Sequence, residues 1–247
     1  MGRFHFFALI AVCSLLAGCG GKSKDAQTQA KTVPKVPVIE AKSPADFVPN
    51  KPGTEWEFYN GVNERPTATK RTIQTVSKTP QAPNTVRYDS EAPGTNRRMY
   101  EVYKYDASTL YLTRIGDSSV GDREVNPPKP MLKFPPKQDE TWDWKGTGPT
   151  IAGILPHKSR FRVDTGLTAN VLAGQFSVVA VTEDTEVLDG EYKGMKIRTV
   201  ILYAPGYGPV KTTHTARRKD GQTFSAVIEL KACSLIPASE KKALRGD

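Results

Sequence analysis

"MKIRTVILY", Met195–Tyr203, decides the fold. Its apolar members Met195, Ile197, Ile201 and Tyr203 keep to alternate positions, while Lys196 and Arg198 take the positions between. Period two puts the first set on one face of an extended chain and the second on the other; a helix would bring apolar residues back every three or four positions. The same alternation runs through "RFRVD" (Arg160–Asp164) and through "TFSAVIELK" (Thr223–Lys231), where Phe224, Ala226, Ile228 and Leu230 share a side. Turn formers punctuate these runs: Asn60-Gly61, Asp189-Gly190 and Asp220-Gly221 supply residues that tolerate the positive φ of tight hairpins. The 19 prolines and 20 glycines fall largely between the runs, and no stretch holds a helical period for three turns. The expectation is an all-β chain of about ten hairpin-connected strands, forming a curved antiparallel sheet that closes into a half-barrel or barrel-like sandwich.

An internal echo suggests two similar halves. "FVPNKPGTEWEF" (Phe47–Phe58) and "FPPKQDETWDW" (Phe134–Trp144) both run Phe, Pro, a polar turn, Thr, then Trp-acid-aromatic. Trp56 and Phe58, and likewise Trp142 and Trp144, are two apart and so share a strand face, with Glu57 and Asp143 pointing the other way. Each half then opens with a strand that puts aromatic bulk into a common core; the sharper alternative is an aromatic shelf facing a ligand.

The chain has 247 residues, 38% hydrophobic and 25% charged, which suits one globular domain or two small ones; a single β-rich domain is placed at 47–237, with a short tail at 238–247. A domain of that size buries about 70% of the surface its unfolded chain exposes and needs neither disulfide nor metal to hold a core. The net charge of +9 and a pI near 9.4 suit nucleic acid, anionic lipid or acidic polysaccharide. An exported chain rarely meets nucleic acid, and the basic residues are scattered, the densest groups being Arg97-Arg98 and Arg217-Arg218-Lys219.

Export is read from the first residues. Arg3 precedes an apolar run from Phe4 to Leu16, too short to span a bilayer, which needs about 20 apolar residues, but of signal-peptide size. The run ends in Leu16-Ala17-Gly18-Cys19. This resembles the lipobox of bacterial lipoproteins, and the resemblance implies cleavage after residue 18 and acylation of Cys19 by diacylglyceryl and a further chain of the palmitate kind. One fatty chain holds a membrane only marginally; two or three on one cysteine make release negligible. Cys19 would be an anchor, not a nucleophile. Gly20 replaces the Asp that retains enterobacterial lipoproteins in the inner membrane, so the resemblance implies the outer membrane if the host has one. Residues 19–46, rich in Lys, Ala, Gln, Thr, Ser and Pro, read as a flexible tether. Cys233 is then left without an intrachain partner and reads as a small buried hydrophobe at a strand end.

Two further segments carry a second resemblance. "VLAGQFSVVAV" (Val171–Val181) and "LYAPGYGPVK" (Leu202–Lys211), with the "FP…TWDW" run, resemble a loose group of exported β-rich bacterial proteins, often lipoproteins, most without a known function. The resemblance implies a curved antiparallel sheet akin to the half-barrel of LolA-type lipoprotein carriers. Independently of it, Gly174 permits a turn, and Gly206 and Gly208 permit a sharp bend around Tyr207.

Catalytic signatures are sparse. After the leader only His157, read as a loop residue, and His214, read as a strand residue, remain; there is no CxxC, HExxH, G-x-S-x-G or P-loop pattern, and no metal or cofactor is expected. Paired acids exist at Glu55/Glu57 and Glu183/Asp184/Glu186, and alternation puts Glu55 and Glu57 on a solvated face. The sequence therefore points to a lipid-anchored envelope lipoprotein whose β-domain is a non-catalytic binding or scaffold module. It would hold an apolar ligand in its concave side or a protein partner on a sheet edge. An envelope hydrolase acting on peptidoglycan or polysaccharide is the alternative.

Overall fold

The computed structural model describes residues 35–49, 53–62, 65–79, 82–91, 98–117 and 121–237. All of them belong to one compact unit, Val33–Asp247. Cys19, the leader, the first part of the tether and the tail at 238–247 lie outside the described residues.

Twelve strands follow one another: β1 (Trp56–Val62), β2 (Arg65–Thr79), β3 (Ala82–Glu91), β4 (Arg98–Tyr105), β5 (Thr109–Asp117), β6 (Gly121–Lys133), β7 (Thr141–Thr150), β8 (Gly153–Val171), β9 (Gly174–Val187), β10 (Lys196–Ala204), β11 (Gly208–Arg217) and β12 (Thr223–Cys233). Each is antiparallel to the next, and β1 pairs with both β2 and β12, so the sheet curves until it closes into an up-and-down barrel. The all-β, antiparallel, curved architecture matches the sequence expectation, with more strands than the alternation alone discloses. Closure gives each of the twelve described strands a neighbour on both sides.

Alternation builds the wall. On β10, Met195 and Ile197 just before and within the strand, then Thr199, Ile201 and Tyr203, face inward; their cross-strand neighbours Thr185, Glu183 and Val181 on β9, and Ala216, His214 and Thr212 on β11, face the same way. Asn60-Gly61, expected as a turn, sits inside β1, paired on both sides, and Gly61 is absent from the positive-φ glycines; Gly190 and Gly221 do turn the chain, at φ 77° and 86°.

The two tryptophan motifs open β1 and β7, the first strands of the two successive six-strand stretches. Trp56, Phe58, Trp142 and Trp144 are all buried inside the barrel. The β6–β7 junction is the weak seam: its one cross-strand pair is Asn126↔Thr147. β6 carries Pro127, Pro128 and Pro130, which have no N–H to give to a ladder. Indole groups take over: Trp144 Nε1 donates to Pro127 O and Trp142 Nε1 to Pro130 O, both at 3.1 Å. Gly146 lets the two backbones approach here, since a Cβ at this position would lie 2.4 Å from Asn126 O.

Residues 35–46 fall in the segment that the sequence reading assigns to the tether. Residues 35–46 lie against the barrel: Val36 N donates to Gln175 O at 3.0 Å, and Gly206 N donates to Asp46 O at 2.7 Å. Pro44–Phe47 forms a 3-10 turn, and Asp46 closes it by accepting from Ser43 N at 2.9 Å. Val36 and Phe47 are buried at 4% and 0% exposure, apolar anchors in a segment whose composition otherwise reads as solvated.

Candidate functional site

An eight-stranded barrel is just wide enough for its side chains to fill, and diameter grows with strand number, so twelve strands leave interior space. The two ends use that space differently. At the end carrying the β8–β9 and β10–β11 turns, the N-terminal segment is the floor. Phe47 meets Tyr203 edge-on with ring centroids 6.4 Å apart, and Trp56 meets Tyr88 at 5.9 Å. Trp56 Nε1 donates to Tyr207 O and Tyr88 Oη to Pro49 O, each at 2.9 Å, so both polar ring atoms find partners in the seal. Gly206 and Gly208, at φ 80° and 85°, make the β10–β11 turn that the segment crosses; a Cβ on Gly208 would lie 3.1 Å from Pro49 Cδ. Gly174, at φ 131°, starts β9 beside the residue that receives Lys35. Cys233 is buried at the end of β12.

Above this floor lies a hollow of about 300 Å³. Phe58, Tyr103, Leu112, Met131 and Tyr203 make its lower wall; Thr199, Thr212, His214 and Ile228 line it higher up. Thr212, His214 and Ile228 point inward and are nevertheless half-exposed, so solvent reaches the inner wall. The volume lies at the small end of ligand pockets.

One side of the hollow ends in a charged cluster that the sequence reading missed. Lys129 of β6 and Glu183 of β9 form an ion pair at 2.5 Å, with side chains 4% and 8% exposed. Glu183 also accepts from Ser159 Oγ at 2.6 Å and Thr185 Oγ1 at 3.0 Å. Burial alone would raise the Glu183 pKa; Lys129 and the two hydroxyls outweigh it and hold the carboxyl below its ordinary value. His157, expected in a loop, lies within β8 and is fully buried. Its Nδ1 is 2.8 Å from Leu155 O and its Nε2 is 3.3 Å from Lys129 Nζ. Since a carbonyl only accepts and an ammonium only donates, the imidazole is neutral with its proton on Nδ1. Burial, reinforced by Lys129, lowers its pKa. Trp144 stacks obliquely on His157 at 4.8 Å and lies 5.3 Å from the ammonium, so the seam and the cluster share a residue. The signal for Glu183 was present: it alternates with Val181 and Thr185, which puts it inside, whereas Asp184 and Glu186 fall outside.

The cluster is a closed hydrogen-bonding circuit. The Ser159 hydroxyl donates to an already paired carboxylate, and both nitrogens of His157 are engaged, so no base stands ready to take a proton from a nucleophile. Among the described residues no three of His, Cys, Asp and Glu come together as a metal ion would need. Glu55 is exposed and Glu57 half-buried, paired with Lys231 at 2.8 Å on the outer wall.

The fold and its hollow define a small up-and-down barrel with one sealed end. Two solved structures resemble it. One is a lipoprotein candidate from Parabacteroides distasonis, 13% identical with a TM-score of 0.47; the match covers 76% of this chain and 98% of that one. The other is a candidate exported protein with a YmcC-like fold from Bacteroides fragilis, 11% identical with a TM-score of 0.36, at the same coverages. No protein-family model matches the chain, and no curated protein matches it.

Proposed function

We propose that this chain is a lipid-anchored envelope lipoprotein whose barrel is a non-catalytic binding module for one small ligand. The observation that carries the reading is the asymmetry of the barrel interior: residues 35–49 and an aromatic layer seal one end, while a hollow of about 300 Å³ with half-exposed inward side chains occupies the other part. A protein that acted only as a scaffold would have no need of an unfilled interior, because empty space forfeits packing. The hydrolase alternative has Ser159, Glu183 and Lys129 in one place, but they are bonded to one another and almost fully buried.

Anchoring rests on the lipobox pattern at Leu16–Cys19, with the outer membrane as its expected destination. Two experiments test the reading. Cys19→Ser should release the protein from membranes on cell fractionation; unchanged retention removes the anchor. Native mass spectrometry of the chain isolated from its own membranes should reveal one small bound molecule, and Thr212→Trp, which fills the hollow, should remove it. A bare wild-type mass would refute the binding role.

A further inference from the structure

We infer that the outer wall of the barrel binds a linear acidic polysaccharide along a row of cations that crosses strands β7 to β11. The surface is separate from the hollow and does not depend on what the hollow binds. Residues 121–237 are described without a gap, so every side chain of these strands and of the strands flanking them is placed. Cross-strand pairing sets Lys145, Lys158, Glu186, Lys196 and Arg217 side by side on five successive strands. Each of the five is next in the chain to a buried residue, so the row faces outward. In the sequence these cations are far apart, and only the sheet gathers them.

The row is short of negative charge. Glu186 is its one carboxylate, shared by Lys158 at 3.1 Å and Lys196 at 2.5 Å. The hydrogen bonds from Lys196 and Lys158 hold its pKa below the ordinary carboxylate value, so it is ionised and serves both lysines. Among the described residues no carboxylate pairs with Lys145 or Arg217, at the two ends of the row. Lys145 stands directly opposite Lys158, a like-charge pair that destabilises a sheet and that a bound anion would relieve.

The next row along the strands decides the class of anion. There Asp143, Arg160, Asp184 and Arg198 alternate in sign, all exposed. An anionic membrane broad enough to cover the cations would also press on Asp143 and Asp184, whereas a narrow chain lying along the cations avoids them. Asp143 makes no ion pair among the described residues and can accept hydrogen bonds from hydroxyl groups. A carboxylated sugar chain offers both anions for the lysines and hydroxyls for Asp143; a polyphosphate offers the anions alone. A trough of about 590 Å³ runs between the two rows over β7–β10 and gives such a chain a seat. With strands about 4.8 Å apart, the row is roughly 19 Å long, enough for several sugar units.

The test uses the full-length chain in phosphatidylcholine nanodiscs and a fluorescein-labelled polygalacturonate oligomer, followed by fluorescence anisotropy. The oligomer should bind at low ionic strength and be released as salt rises, and unlabelled dextran should not displace it. Lys145→Glu combined with Arg217→Glu should weaken binding about tenfold. Lys104→Glu combined with Lys137→Glu makes the same change in net charge at two exposed positions off the row, and should weaken it less than about twofold. All four side chains are exposed, so both double variants should keep the wild-type urea midpoint. No binding of the oligomer, displacement by dextran, or equal losses in the two double variants would overturn the inference. Stronger displacement by polyphosphate or by phosphatidylglycerol vesicles at matched charge would overturn it too, by giving the row to a different anion.

Discussion

Replacing Lys129 with methionine should be among the most destabilising single changes this barrel can suffer. The ammonium sits 2.5 Å from Glu183 with both side chains under a tenth exposed. Methionine keeps the aliphatic stem against Trp144 and Phe161 but removes the charge that holds Glu183 ionised. The carboxyl then keeps two hydroxyl donors, Ser159 and Thr185, and must either stay charged without a counter-ion or take up a proton. Breaking a buried pair from one side costs about 3–5 kcal/mol. In a domain of this size that lowers Tm by roughly 6–20 °C, at about 2–4 °C per kcal/mol. Glu183→Gln alone strands the ammonium and should cost about 3 kcal/mol or more, by the same reasoning. The double variant removes both charges and leaves Gln able to accept from Ser159 and Thr185, so it should be more stable than either single variant, with a coupling of about 2 kcal/mol or more. Urea unfolding followed by tryptophan emission is the assay, because Trp144 lies against the cluster. A Lys129→Met cost below about 1 kcal/mol, or a double variant worse than both singles, would show that water reaches the pair and would refute this reasoning.

Other consequences concern acid, the seam and the floor. Glu183 and His157 both have lowered folded-state pKa values, so each disfavours proton uptake by the folded chain. Stability should be full above the unfolded values, begin to fall as pH drops below about 6.5 through His157, and fall further below about 4.3 through Glu183. His157→Gln, which can still donate to Leu155 and accept from Lys129, should flatten the upper step in a pH series of urea midpoints; an unchanged profile would refute the assignment. Trp144→Phe removes the indole donor to Pro127 O and should cost about 1–3 kcal/mol, with faster amide exchange in β6 and β7 than in β9 and β10. Gly146→Ala forces its Cβ against Asn126 O and should cost about 1–3 kcal/mol by overpacking, read from the same urea curves. Phe47→Ala unplugs the floor and should cost about 3–5 kcal/mol, measured by thermal unfolding.

What the sequence disclosed follows from where alternation is apolar. The inward faces of β10 and β12 could be read directly, because Ile197, Ile201 and Tyr203, or Phe224, Ile228 and Leu230, repeat with period two. The tryptophan echo likewise marked the opening strands of the two stretches. The barrel interior escaped detection for the opposite reason: its polar cluster puts Lys, His, Ser and Glu at inward positions. His157, flanked by Pro156 and Lys158, thus resembles a loop, although it continues the period of Ser159, Phe161 and Val163. β6 was hidden by its prolines, which a ladder excludes but a seam closed by indoles accepts. Asn60-Gly61 misled because a dipeptide that suits a hairpin also fits a strand paired on both sides. In the N-terminal segment a few apolar residues, Val36, Phe47 and Val48 among them, dock a stretch whose average composition suggests little burial. Local composition reports the mean, whereas docking depends on the few side chains that reach a complementary surface.

The measurement that tests the account most directly is thiol labelling inside and outside the wall. In a cysteine-free background, Thr212→Cys places a sulfur in the hollow, and Thr213→Cys places one on the opposite face of the same strand. A small methanethiosulfonate should modify both positions, while a bulky polyethylene-glycol maleimide should modify Thr213→Cys alone. Equal labelling of the two by the bulky reagent, or no labelling of Thr212→Cys by the small one, would contradict a hollow, solvent-reached barrel.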